Sequence, residues 1–163
     1  MENISITDYT PAGRPDLLRL LLALQRDYFA ENAEMQFQEL RREKDTARSY
    51  EKYLDHIAEG KDDWKILIAR NESGRAVGMI IGSISEDEEL VLGKIGQFED
   101  WFVEPDARGN GAGMLLYHEL EKWFKEKGCQ QVGSDTWQGN QLSIKAHERA
   151  GFFVSGVKFS KKL

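Results

Sequence analysis

Nowhere in this chain do some eighteen apolar residues run together, so no membrane-spanning helix is expected. The opening residues, MENISITDYT, contain no basic region followed by an apolar run, and no secretory leader is read there. Cysteine is reduced to Cys129 alone, which excludes an internal disulfide and fits a reducing, cytoplasmic location. Positive charge is also in deficit. The 22 Lys and Arg residues face 28 Asp and Glu residues, for a net charge of −6 and a pI near 5.2. General attraction to nucleic acid or to an anionic membrane requires the opposite sign, so neither is an expected partner. An acidic surface suits a cationic or neutral partner, although mild acidity also serves solubility alone. No Cys/His cluster has metal-ligand spacing, and no metal is expected.

What remains is an ordinary globular composition, 40% apolar and 31% charged over 163 residues, enough for one domain spanning 1–163. Period-two alternation in NISITDY (3–9) reads as a first strand. Pro11 and Pro15 punctuate the turn after it. The stretch 15–32 places Leu17, Leu20, Leu21 and Leu24 on one helical face, with Pro15 suited to the helix start. A second helix, rich in Glu, Arg and Lys, is expected over about 36–59. DWKILIAR (63–70) and RAVGMIIGSIS (75–85), joined by NESG, read as a hairpin. EDEE (86–89) is an acidic loop. Strands follow at 93–103 and 130–136, helices at about 112–127 and 140–151, and a final strand at 152–163. The order β-α-α-β-β-β-α-β-α-β gives an α/β fold with a mixed sheet.

The most informative segment is FVEPDARGNGAGMLLYHELEKWF (102–124), where a strand runs through Pro105 into three glycines and then into a helix. N–H groups at a helix start have no intrahelical partner, and the helix dipole adds positive potential there. A phosphate satisfies both if the backbone approaches closely, which glycine permits. Gly109, Gly111 and Gly113 at alternate positions can turn successive N–H groups inward, with Arg108 supplying positive charge at the mouth. A P-loop needs Gly-Lys-Ser/Thr, but Met114 and Leu115 follow Gly113. A dinucleotide fingerprint needs a small residue where Met114 stands and normally lies near a first strand, although Asp135 could imitate its ribose-binding acid. A glycine turn without a ligand is the structural alternative.

The pattern VEPDARGNGAGMLL resembles the acetyl-CoA loop of the GNAT N-acetyltransferase superfamily, R/Q-x-x-G-x-G/A, with Arg108, Gly111 and Gly113 filling it. NQLSIKAHERAGF resembles that family's second signature, with Asn140, Ser143, His147, Gly151 and Phe152 in frame and His147 where Tyr is usual. The resemblance is close over about 64–163 and topological over 1–63. It implies a mostly antiparallel sheet splayed between the strands near 97–103 and 130–136, opening beyond Val103. It also implies acetyl-CoA as co-substrate, its pyrophosphate cradled by the backbone of Arg108, Gly109, Gly111, Ala112, Gly113 and Met114. The pantetheine arm would then bond to backbone near Trp101 and Val103, with Asn140 and Ser143 at the cofactor.

Acetyl transfer from a thioester to an amine needs a neutral amine, a stabilised oxyanion and a protonated leaving thiolate. An alkyl amine of pKa about 10.4 is neutral in only about one molecule per thousand at pH 7. Glu99 is the candidate proton acceptor, through a water, or the anion that binds the ammonium. Alternation puts Glu99 on the face of Trp101 and Val103 and Asp100 on the opposite face. His147, in the family's Tyr position, is the candidate proton donor to the leaving thiolate as an imidazolium, or a hydrogen-bond donor to the thioester sulfur as a neutral imidazole. Cys129 reads as a small buried apolar residue without a catalytic role.

FEDWFVEPDAR, GSDTWQGNQLSIKAHERAGF and VKFSKKL look most like the aminoglycoside 6′-N-acetyltransferases, which implies that Glu99 and Asp135 contact a polycationic sugar, with Asp100 as a further candidate substrate-binding residue. The first sixty residues lack the Trp-rich opening of that class, so a polyamine, an amino acid or a peptide N-terminus also fits. Rival functions are a protein N-acetyltransferase, a non-catalytic acyl-CoA sensor and a plain structural module. The last strand, with Phe153, Val157 and Phe159, would either pair across a homodimer or close the sheet.

Overall fold

The computed structural model describes residues 3–31, 43–60, 62–86, 89, 91 and 93–157. Its elements are β1 (Ser5–Asp8), α1 (Arg14–Glu31), α2 (Glu43–Glu59), β2 (Trp64–Arg70), β3 (Ala76–Glu86), β4 (Lys94–Val103), α3 (Ala112–Glu126), β5 (Gln131–Ser134) and α4 (Gln141–Arg149). Short 3-10 turns at Pro11–Gly13 and Pro105–Ala107 begin where two of the three prolines fix φ. Expected elements over 36–42 and 158–163, and the acidic-loop residues 87 and 88, lie outside the described residues.

The five strands form one sheet in the order β1-β2-β3-β4-β5. The first four pair antiparallel, and β5 adds in parallel against β4. That one parallel pairing requires a crossover, which α3 supplies. Both faces of the sheet are covered, so β3 reads as a near-continuous apolar run rather than an alternating one. On one face, Leu17, Leu20 and Leu21 of α1 and Leu54 and Ile57 of α2 bury against Ile66, Ile68, Met79, Ile81 and Phe102. On the other, Leu116, Leu120 and Phe124 of α3 bury against Leu67, Val77, Ile80 and Phe98.

The closest approach of α3 to the sheet is over Gly82 and Gly96, where Phe124 fills the space a side chain would need. A Cβ at Gly96 would lie 2.5 Å from the Phe124 ring. The expected final strand is absent over residues 152–157, which leave α4 as irregular chain with Phe153, Val154 and Val157 exposed. Residues 152–157 make no ladder with the outer edge of β5, the terminal strand of the sheet.

Gly96→Ala is expected to lower stability by about 1–3 kcal/mol through overpacking against Phe124, read as a lower urea midpoint with unchanged m-value.

Candidate active site

Two local irregularities build the site. The first is the early end of the β4–β5 ladder. Pairing runs from Ile95 with Gln131 to Phe98 with Ser134 and stops there. The sequence places the divergence beyond Val103, but β5 ends at Ser134, and the strands part from Glu99 onward. Residues 99–103 of β4 therefore keep β3 on one side and face a gap on the other. At about 3.3 Å per residue, that gap is roughly 16 Å long from Phe98 to Val103.

The second irregularity is a bulge in β4. Ile81 pairs with Asp100 while Gly82 pairs with Phe98, so Glu99 is the extra residue. This corrects the alternation expected from sequence. Phe98 packs on the α3 side with Trp101 and Val103, and Asp100 lies on the side of α2, bonded to the Tyr53 hydroxyl at 3.2 Å. Glu99 accepts a hydrogen bond from the Ser83 hydroxyl and is close enough to raise the pKa of both Asp100 and Tyr53. Burial pushes the Asp100 carboxyl up to about 6; the Tyr53 hydrogen bond opposes the rise and the Glu99 charge adds to it. Burial and the two carboxylates push the Tyr53 hydroxyl far above the ordinary phenol range. Tyr53 had no signal in the sequence, because only the tertiary fold brings α2 over β4.

The glycine loop takes the expected place at the open end of the gap. Gly109 and Gly111 have φ of 84° and 85°, with open space where a Cβ would project. Gly111 is the N-cap of α3, and no side chain caps that helix. Gly113 lies inside the helix, against Trp101 and Val103. Arg108 departs from its expected role. Its Nε donates to the Val103 carbonyl at 2.9 Å, and its guanidinium pairs with Asp27 of α1 and lies over the Phe102 ring. Its charge is spent on fixing the loop to α1 rather than left at the mouth. A cradle of backbone N–H groups with no capping side chain fits a pyrophosphate, and the unpaired β4 edge beyond it fits an extended, amide-bearing arm.

At the closed end of the gap stand Ser134 and His147. Asn140 caps α4 by accepting from the Ser143 N–H at 3.0 Å. One turn on, His147 Nδ1 lies 2.7 Å from the Ser143 carbonyl oxygen, and Nε2 lies 2.7 Å from the Ser134 hydroxyl. Trp101 holds the ring edge-on at 5.6 Å and itself stacks on Tyr117. Asn140, Ser143 and His147 are thus brought together as one frame. Asp135 is exposed, one residue beyond β5 and next to this frame in sequence. Burial raises the Cys129 thiol pKa, which keeps it protonated and agrees with a non-catalytic reading. The described residues contain no cluster of His, Cys, Asp and Glu suited to a metal.

A splayed sheet with a glycine loop leading into α3 at the mouth of the splay defines the acetyltransferase class. The Acetyltransferase (GNAT) family model matches residues 21–152, and the chain belongs to that family. The chain is 39% identical over 88 residues to an aminoglycoside N(6′)-acetyltransferase type 1 from Klebsiella aerogenes, a match spanning 53% of this chain and 58% of that protein. Among solved structures, the aminoglycoside antibiotic 6′-N-acetyltransferase AAC(6′)-Ih from Acinetobacter baumannii superposes with a TM-score of 0.67 at 20% identity, covering 99% of each chain. The glucosamine-6-phosphate N-acetyltransferase from Arabidopsis thaliana gives the same TM-score, identity and coverage. Two relatives with different printed acceptors fit the fold equally, so the fold does not choose the amine.

The raised Asp100 pKa sets a pH dependence. The folded protein binds this proton more tightly than the unfolded chain, so the benefit is full below about pH 4 and is lost as pH rises through about 6. Asp100→Asn is expected to be more stable than the parent at pH 8, by about 1–2 kcal/mol, and to lose that advantage at pH 4.5. Urea midpoints of both proteins at the two pH values check this.

Proposed function

We propose that the chain is an acetyl-CoA-dependent N-acetyltransferase that passes the acetyl group directly to a primary amine of a cationic small molecule, with 6′-amino aminoglycosides as the leading class. The observation that carries this reading is the uncapped start of α3, with two left-handed glycines, opening onto the unpaired edge of β4. The backbone of Arg108 to Met114 would hold the pyrophosphate, and β4 near Trp101 and Val103 would hold the arm. Acetyl-CoA, when bound, supplies the activated acyl group. Asn140 and Ser143 orient His147 at the thioester end.

The acidic side of the bulge supports a cationic acceptor. Glu99 and Asp135 bind the ammonium group. Asp100, its carboxyl pushed up to about 6 by burial, is suited to accept the amine proton, directly or through a water. A carboxylate next to an ammonium also raises the pKa of that ammonium. Separating the binding acid from the accepting acid eases this conflict. Net charge −6 agrees with the same acceptor class.

The test is thiol release from acetyl-CoA against aminoglycosides with and without a 6′-amine, spermidine, free amino acids and short peptides. Turnover confined to 6′-amino sugars, with kcat/KM lowered about tenfold to a hundredfold in Glu99→Gln, is the expected result. Turnover of peptides in place of sugars would move the acceptor to a protein N-terminus. Acetyl-CoA binding without turnover of any amine would overturn the enzymatic reading and leave an acyl-CoA sensor.

A further inference from the structure

The sequence frame marks His147 as the acid that meets the leaving sulfur, but both of its ring nitrogens are already engaged inside the protein. The Ser143 carbonyl oxygen, 2.7 Å from Nδ1, can only accept, whereas the Ser143 hydroxyl, 3.3 Å away, can donate or accept; the shorter carbonyl contact assigns the neutral ring's proton to Nδ1. Nε2 is left as the atom that exchanges its proton, and it faces the Ser134 hydroxyl at 2.7 Å. The Trp101 and Phe152 rings hold the imidazole from its sides, at centroid distances of 5.6 and 5.1 Å. A direct path from the ring to the gap is therefore occupied by Ser134.

The position of Ser134 in the sheet gives its hydroxyl a meaning. It is the last residue of β5 and the last to pair with β4, opposite Phe98, so it stands at the closed end of the gap. An arm that enters from the glycine loop at the open end places its far terminus, the thioester, at this end. We propose that Ser134 is a catalytic residue that delivers the proton to the leaving thiolate, and that His147 is the positioning and proton-supplying residue behind it. This inference rests on the acetyl-CoA reading above.

The proton accounting closes without any further reactant. With the ring in its cationic form, Nε2–H donates to Ser134 Oγ, and the hydroxyl hydrogen is free to point into the gap. As the carbon–sulfur bond breaks, the sulfur takes the Ser134 hydroxyl proton and Oγ takes the proton from Nε2. His147 is left as the neutral Nδ1–H imidazole. The acceptor nitrogen loses one proton as it becomes an amide, and that proton restores the ring. When the ring is neutral, the same contact reverses: Ser134 donates to Nε2 and its hydrogen is turned away from the gap.

Three measurements test this. The first needs no ligand: nitrogen-15 NMR of the His147 ring in the free protein. The neutral ring is expected to carry its proton on Nδ1, and an Nε2–H tautomer would overturn the proposal even if the protein is an active acetyltransferase. The second compares Ser134→Ala with Ser134→Thr for acetyl-CoA binding by calorimetry and for turnover. Alanine should lower kcat about a hundredfold with the acetyl-CoA Kd unchanged, and threonine, which keeps the hydroxyl, should restore most of the rate. A purely structural serine would not show that split with rescue. Full kcat in Ser134→Ala would sink the relay while leaving the acetyl-CoA reading intact. The third is acetyl-CoA binding to the parent protein. No binding, or binding with no thioester cleavage by any amine or by water, would sink the relay together with the enzymatic reading.

Discussion

The structure depends on where one parallel ladder stops. β4 and β5 share four residue pairs and then separate, because β5 ends at Ser134 while β4 runs on to Val103. Had the ladder continued, β4 would be an ordinary central strand with every backbone group satisfied and no room for a ligand. Its early end creates a slot whose mouth is the glycine loop and whose floor is the Ser134–His147 pair. The bulge at Glu99 begins at the same point. It turns two successive acids toward one region beside Tyr53, which a regular strand would send to opposite faces.

Holding such a slot open calls for rigidity around it, and charge pairs supply much of it. Glu104, nearly buried just after β4, accepts from Arg19 of α1 and from Arg75 of the β2–β3 turn. Arg19 also donates to the Ala76 carbonyl at 2.6 Å, and Arg75 reaches Asp106. Arg108 ties the loop to Asp27 of α1 and to the Val103 carbonyl. A buried carboxylate with two guanidinium partners is costly to disturb on one side, since removing a partner leaves charge uncompensated. These contacts lock the turn before the glycines, so the backbone cradle is preorganised.

The two ends of the slot differ in chemistry. The mouth offers backbone donors and the helix dipole, while the Arg108 charge is turned to Asp27. The floor is a rotor-and-ring pair backed by aromatic packing from Trp101, Tyr117 and Phe152. The acids of the bulge belong to the opposite side of the sheet, under α2. The slot and the bulge acids thus meet at one point of β4 from two sides of the sheet, and the side of the acids is the one covered by α1 and α2.

The sequence by itself determined the elements and the loop. Alternation, the leucine stripe of α1, the three prolines and the spaced glycines are local signals, and β1 to β5 and α1 to α4 follow them closely. The Asn140-to-Gly151 frame likewise marked the capped helix carrying His147, since a cap and its i, i+3 partner are sequence neighbours. What only the tertiary structure decided are the features that need a partner from far along the chain. The bulge depends on β3 register, so alternation misplaced Glu99 relative to Asp100. Where the gap begins depends on how long β5 stays in contact with β4, and the fate of the Arg108 charge depends on Asp27, 81 residues away. Strand alternation and helical stripes are set by neighbouring residues, whereas register, divergence and ion pairing are settled only when distant segments compete for the same backbone edge and the same charge.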